Sequence, residues 1–99
     1  MILRNLNEGV FRRSPKALFR RVGGDIILAT PGRDDFDSLS STASTAWELL
    51  DTPKGLDELV NELALEYRMQ PPSIVSDVAA LLLDLLRRGW IEEVENNEY

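Results

Sequence analysis

The sequence predicts a mixed α+β fold, a three-stranded antiparallel sheet followed by three helices around one hydrophobic core. Three observations lead there. The apolar period changes from 2 to 3.6 near residue 40, which separates a strand region from a helical one. A Gly23-Gly24 pair divides two β-compatible runs, as a tight hairpin requires. Pro71-Pro72 and Gly89 bracket the longest helical pattern, with proline in its opening turn and glycine just past its end.

The first strand is expected over residues 17–22 and the second over 25–30. The loop between them needs positive φ, which glycine supplies without steric cost. Pro31-Gly32 then ends the second strand. Asp34, Asp35, Phe36, Asp37, Ser38 and Leu39 form a short third strand, in which Phe36 alternates with polar neighbours. Ser40 and Ser41 are suitable N-caps for a first helix carrying Ala43, Ala46, Trp47 and Leu50 on one face. Residues 51–55 break it. In the second helix Leu56, Leu59, Val60, Leu63, Ala64 and Tyr67 recur at helical spacing without a gap. Asp57 and Glu58 lie at the positive end of its dipole. After a turn at residues 68–70, the third helix runs from Pro71 to about Arg88, with Arg87 and Arg88 at its negative end. Residues 90–94 either add a final short strand or tuck Trp90 into the core, and residues 95–99 read as a frayed tail. No repeat, linker or low-complexity tract divides the chain, so one domain is expected over residues 1–99, ordered from about 10 to 94.

Composition narrows the chemistry. Hydrophobic residues are 43 % of the 99 and charged residues 28 %, the profile of a globular protein. There is no cysteine, hence no disulfide and no thiolate metal site. There is no histidine, which removes the commonest general base and the commonest metal ligand. These absences argue for a binding protein rather than an enzyme, with no metal and no cofactor. The longest apolar stretch, residues 78–86, is broken by Asp84 and is too short to span a membrane. The N-terminus lacks the apolar run and cleavage site of a signal peptide, so a cytoplasmic monomer without a membrane partner is expected. The net charge of −6 is unevenly spread: seven basic residues face two acidic ones up to Arg33, and four face fifteen thereafter. This polarity suits either a partner of complementary charge or a solvated surface whose two ends offset each other.

Two features could carry function. In the third helix Ile74, Val78, Leu81, Leu82 and Leu85 make one apolar stripe, and Val75, Ala79, Leu83 and Leu86 make an adjoining one. A surface helix needs only about 100° of apolar arc, so either this helix is deeply buried or the second stripe lines a partner's groove. The second feature is the strand around Phe36. In a sheet ordered as the chain runs, it is an edge; Asp34, Asp35 and Asp37 either guard that edge with charge or flank one kept free to accept a peptide strand. In the second case a basic or neutral ligand is favoured. Residues 22–25 lack the spacing and lysine of a phosphate loop, and the adjacent carboxylate pairs have no metal-ligand spacing.

The run from Leu39 through Trp47 to Asp51 resembles the first-helix signature of the PqqD family. The likeness continues through residues 56–60 and through residues 77–90, which end in Arg87-Arg88-Gly89-Trp90, and covers roughly residues 17–94. This resemblance implies a winged-helix-like fold without DNA binding, acting as a recognition element in ribosomal peptide biosynthesis. It implies that a precursor's leader peptide is held as an added strand against the third strand, beside the third helix. Carried over by position, the clamp is Asp34, Asp35, Phe36, Asp37, Ser38 and Leu39 with Val75, Val78, Ala79, Leu82, Leu83 and Leu86. Where the family often has a Pro-Glu pair after the second strand, this chain reads Thr30-Pro31-Gly32-Arg33, a departure from pyrroloquinoline quinone synthesis. A domain of this size is similar to the leader-recognition proteins of lasso-peptide clusters, which implies a leader peptidase or cyclase as the receiving partner.

Two other classes compete. A winged-helix DNA-binding protein could set Arg12, Arg13, Lys16, Arg20 and Arg21 against phosphates. The third helix, however, offers Ser73, Ser76, Asp77, Ala80 and Asp84 on its polar side, which suits neither bases nor backbone, and a pI near 4.5 has the wrong sign. No nucleic-acid partner is expected. A non-catalytic scaffold subunit that binds an enzyme would use the same apolar stripe.

Overall fold

The computed structural model describes residues 6–94. After a 3-10 turn (Leu6–Glu8) the elements run β1 (Val10–Arg13), β2 (Leu18–Val22), β3 (Asp25–Ala29), β4 (Phe36–Leu39), α1 (Ser41–Leu49), β5 (Lys54–Gly55), α2 (Leu56–Tyr67), α3 (Pro71–Arg88) and β6 (Ile91–Glu93). The expected α+β class, with antiparallel strands and three helices, is what forms. The tail expected at residues 95–99 lies outside the described residues.

The expected three-stranded sheet has the order β2-β3-β4. Gly23 takes φ 63° while Gly24 stays outside the left-handed region, the type II′ arrangement whose twist suits a two-residue hairpin. The third strand starts at Phe36, later than expected, because Asp34 and Asp35 belong to the loop before it. Of a second sheet, ordered β5-β1-β6, the sequence offered only β6, as one of two readings of residues 90–94. Its strands are short and come from three distant parts of the chain, so β1 and β5 carry no alternation long enough to read. Both readings of residues 90–94 hold together: Trp90 is buried and Ile91 opens β6. Gly89 permits this with φ 80°, letting the Trp90 N–H return to Leu85 O at 3.0 Å and the Gly89 N–H to Leu86 O at 3.1 Å.

One core joins both sheets to the helices. Ile26 and Leu28 of β3, Trp47 of α1, Leu59 and Leu63 of α2, and Val78, Leu82 and Leu85 of α3 are almost wholly buried. Each such side chain contributes about 1.5–3 kcal/mol over leaving it in water. The buried Ser44 hydroxyl donates to Gly24 O at 3.0 Å and so ties α1 to the hairpin tip. Ser40 holds the N-cap position of α1 but makes no side-chain cap bond, and the chain enters the helix through Ser41 at φ 51°. The Gly55 N–H ahead of α2 donates to Glu58 Oε1 at 3.2 Å.

Arg13 links the two sheets. From the end of β1 its Nε and Nη2 donate to Trp47 O at 2.9 and 2.6 Å, and Nη2 also reaches Glu48 O at 3.2 Å. The guanidinium therefore caps the negative end of α1. It also sits over the rings of Phe19 and Trp47, at 4.7 and 5.1 Å from their centroids. Burial lowers its pKa from the usual arginine value, with Asp51 and Glu48 opposing that shift. Among the described residues, no single helix is long and apolar enough to cross a membrane.

Candidate functional site

β4 pairs on one side with β3 and, among the described residues, has no strand on the other. The hairpin fixes which of its backbone groups are free. A two-residue turn closes on a hydrogen-bonded pair, here Val22 and Asp25, and bonded and non-bonded pairs then alternate along the ladder. That parity turns the N–H and C=O of Ile26 and Leu28 toward β4, where they meet Leu39 and Asp37. Phe36 and Ser38 accordingly turn theirs outward. The free edge of β4 thus offers two residues' worth of donors and acceptors to an added strand.

The side chains alternate with the backbone. Leu39 and Asp37 face the core side of the sheet, opposite Ile26 and Leu28. Phe36 and Ser38 face outward, and Phe36 is 66 % exposed. Asp37 is held from within: it accepts the Trp90 Nε1–H at 2.5 Å and lies 3.3 Å from Arg88. Asp35 is held by Arg33 at 3.3 Å. These carboxylates are already matched by cations, which changes the expectation that the acidic run favours a basic ligand. The Arg88 pKa is raised, first by the charge of Asp84 and then by its contacts with Asp37.

Two cavities lie along α3, one touching β4 at Asp37 and one beyond the strand's end, walled by α1, α2 and α3. An apolar one of about 350 Å³ lies where α1 begins, walled by Thr42 and Ala43, by Tyr67 of α2 and Met69 beyond it, and by Ile74, Asp77, Val78 and Leu81 of α3. A polar one of about 480 Å³ lies at the other end, between the β3–β4 loop and the end of α3, walled by Thr30, Arg33, Asp35, Asp37, Arg87, Arg88 and Trp90. Asp77 and Leu81 of the apolar cavity fall on the same side of α3 as Asp84 and Arg88, and from that side Arg88 reaches Asp37 of β4.

Of the twelve residues expected to form the clamp, the structure brings the strand residues Phe36, Asp37, Ser38 and Leu39 to the edge, with Asp34 and Asp35 just ahead of it. It does not bring all of the helix residues there. Val78 and Leu82 are buried core, and only Val78 touches the apolar cavity. At about 100° per residue, Val75, Ala79 and Leu86 fall on the opposite side of α3 from Asp77, Asp84 and Arg88, with Leu83 beside them. Ala79 and Leu86 pack against the core, while Val75 is exposed. The apolar excess of α3 is thus mostly burial. Leu81, Arg87, Arg88 and Trp90, which the sequence reading did not include, line the two cavities. Leu81 was legible only as core and the arginines only as dipole partners, because neither periodicity nor charge says which side of a helix meets a strand.

Other chemistries find little support. Arg12 is paired with Glu92 at 2.7 Å, Arg13 is folded over α1, and Arg21 pairs with Glu48. Three of the five basic residues that a DNA-binding reading would use are thus paired within the chain, Arg12 and Arg21 at its surface. Among the described residues no group of three or more His, Cys, Asp or Glu side chains could hold a metal ion.

A family model described as Coenzyme PQQ synthesis protein D (PqqD) matches residues 25–91, from the start of β3 to the start of β6. Two solved structures share the fold. One is TbiB1 in complex with the TbiA(beta) leader peptide, with a TM-score of 0.74 and 20 % identity over 86 % of this chain and 99 % of that one. The other is the solution structure of the PqqD truncation of Methylobacterium extorquens PqqCD, described as a functional, stand-alone recognition element for ribosomally synthesized and post-translationally modified peptides. Its TM-score is 0.70, with 20 % identity over 87 % of this chain and 92 % of that one. No curated protein matches the sequence.

Proposed function

The chain belongs to the PqqD family, and from that membership we propose that it binds the leader segment of a ribosomally made precursor peptide as an added strand on the free edge of β4. One observation carries this reading: the backbone of Phe36 and Ser38 turns outward on an unpaired edge, with a polar cavity at the strand's start and an apolar one beyond its end where α1 begins, so an added strand could bond the edge and reach toward both. The leader-bound state of TbiB1, a structure of the same fold, supports it.

On this reading the protein does no chemistry itself. The absence of histidine and cysteine supports that role. It presents the held precursor to separate modifying enzymes in the cytoplasm, and a leader peptidase with a cyclase, as in lasso-peptide pathways, is the pair we assign. The departure of Thr30-Pro31-Gly32-Arg33 from the family's Pro-Glu pattern supports a pathway other than quinone synthesis. The outer face of the β2-β3-β4 sheet, where Leu18 is 57 % exposed in line with Phe36 and Val22 is 55 % exposed at the hairpin end, supports contact with such an enzyme.

The test is an anisotropy titration of a fluorescent leader peptide from a precursor of the same organism. Saturable binding is expected, weakened at least about tenfold by Ser38→Pro, which removes an outward N–H and should leave the β3 pairing intact. Unchanged binding by a folded Ser38→Pro variant would sink the strand-addition reading.

A further inference from the structure

The polar cavity at the end of α3 has a charge pattern that strand addition alone does not explain. Both of its carboxylates are occupied: Asp37 by Trp90 Nε1 and Arg88, Asp35 by Arg33. Arg88 is shared further with Asp84, whose Oδ1 lies 3.2 Å from its Nε. Arg87 lines the same cavity and, among the described residues, has no partner. A basic side chain entering here would have to displace a guanidinium from its carboxylate. An acidic one would meet an unpaired guanidinium with two more nearby, a geometry that arginine forks match well.

Resting on the strand-addition reading, we propose that this cavity is an anion subsite of the peptide groove, in which Arg87 selects an aspartate or glutamate side chain of the bound segment. The fold also sets where that acid must lie. From Val78, at the apolar cavity, to Arg87, at the polar one, α3 advances nine residues, about 13.5 Å at 1.5 Å per residue. An extended strand covers that length in about four residues, an even number that keeps both side chains on one face. α3 runs from the apolar cavity to the polar one, while β4 runs from the polar end toward α1 and the apolar cavity. Antiparallel pairing with β4, the more stable arrangement, therefore enters the apolar cavity first. The recognised motif is an apolar residue followed, about four positions later, by an acid.

The test uses a displayed library of random peptides about twelve residues long, enough to pass both cavities in an extended strand. Wild-type protein is expected to enrich this motif. Replacing the enriched acid by alanine in a selected peptide should weaken binding about five- to tenfold. Arg87→Glu should keep the apolar preference and exchange the acid for lysine or arginine, while Arg87→Gln should erase the charge preference. Arg87 is exposed, so both variants should fold, which circular dichroism verifies. Selected peptides with the apolar residue but no acidic preference, or the same acids chosen by Arg87→Glu, would overturn the subsite and leave strand addition standing. No enrichment by the folded wild-type protein would overturn both.

Discussion

Asp37 shows how a single side chain can be read two ways until its partners are known. In sequence it is one of three acids near a strand edge, equally suited to guarding that edge or greeting a cation. In the fold it points inward, accepts from the buried Trp90 indole at 2.5 Å and lies 3.3 Å from Arg88, so it fastens β4 to the end of α3. Asp37→Ala should cost about 1–2 kcal/mol of stability in urea titration, because it leaves the Trp90 N–H without its acceptor. Asp37→Asn keeps an acceptor there and should cost clearly less. Arg13 presents the same lesson from the basic side. It is one of a cluster of cations that suits phosphate binding in sequence, yet it caps α1 through the carbonyls of Trp47 and Glu48. Arg13→Met should lower stability by about 2 kcal/mol, and Arg13→Lys by about half that, since lysine keeps the charge but not the fork. Equal losses would mean that the charge alone matters.

At the scale of elements, what was legible in the sequence is what a local pattern can encode. The Gly-Gly hairpin, the period change near residue 40, the proline start of α3 and its Gly89 end are all local signals, and all form as expected. Within the hairpin the two glycines are not equivalent. Gly23→Ala should destabilise by about 1 kcal/mol because φ 63° disfavours a Cβ. Gly24→Ala should be nearly neutral in the same thermal melts, since its φ is ordinary and nothing lies within 4 Å of an added Cβ. The pairing of β5, β1 and β6 into a sheet could not be read, because two- and four-residue strands such as β5 and β1 are made by their partners rather than by their own pattern. The candidate site was half legible for a related reason. The strand side of the groove follows from chain order, but the helix side depends on how α3 is rotated against β4. The stripe of Val75, Ala79, Leu83 and Leu86 is on the wrong side for that contact.

At the scale of the molecule, the charge polarity of the chain is partly consumed in folding. Arg12 with Glu92 and Arg21 with Glu48 join the basic first third to the acidic remainder. This explains why the polarity itself named no partner. The same long-range ties, with one core beneath both sheets, predict a single cooperative unfolding transition; separate transitions by tryptophan fluorescence and far-ultraviolet circular dichroism would contradict it. The central claim is strand addition at β4, and amide hydrogen exchange by nuclear magnetic resonance tests it most directly. With saturating leader peptide, the account predicts strong new protection at Phe36 and Ser38, whose N–H groups face outward, and little change at Asp37 and Leu39, which already bond to β3. Protection confined to β2 or to the helices, or no new protection with peptide bound, would contradict it.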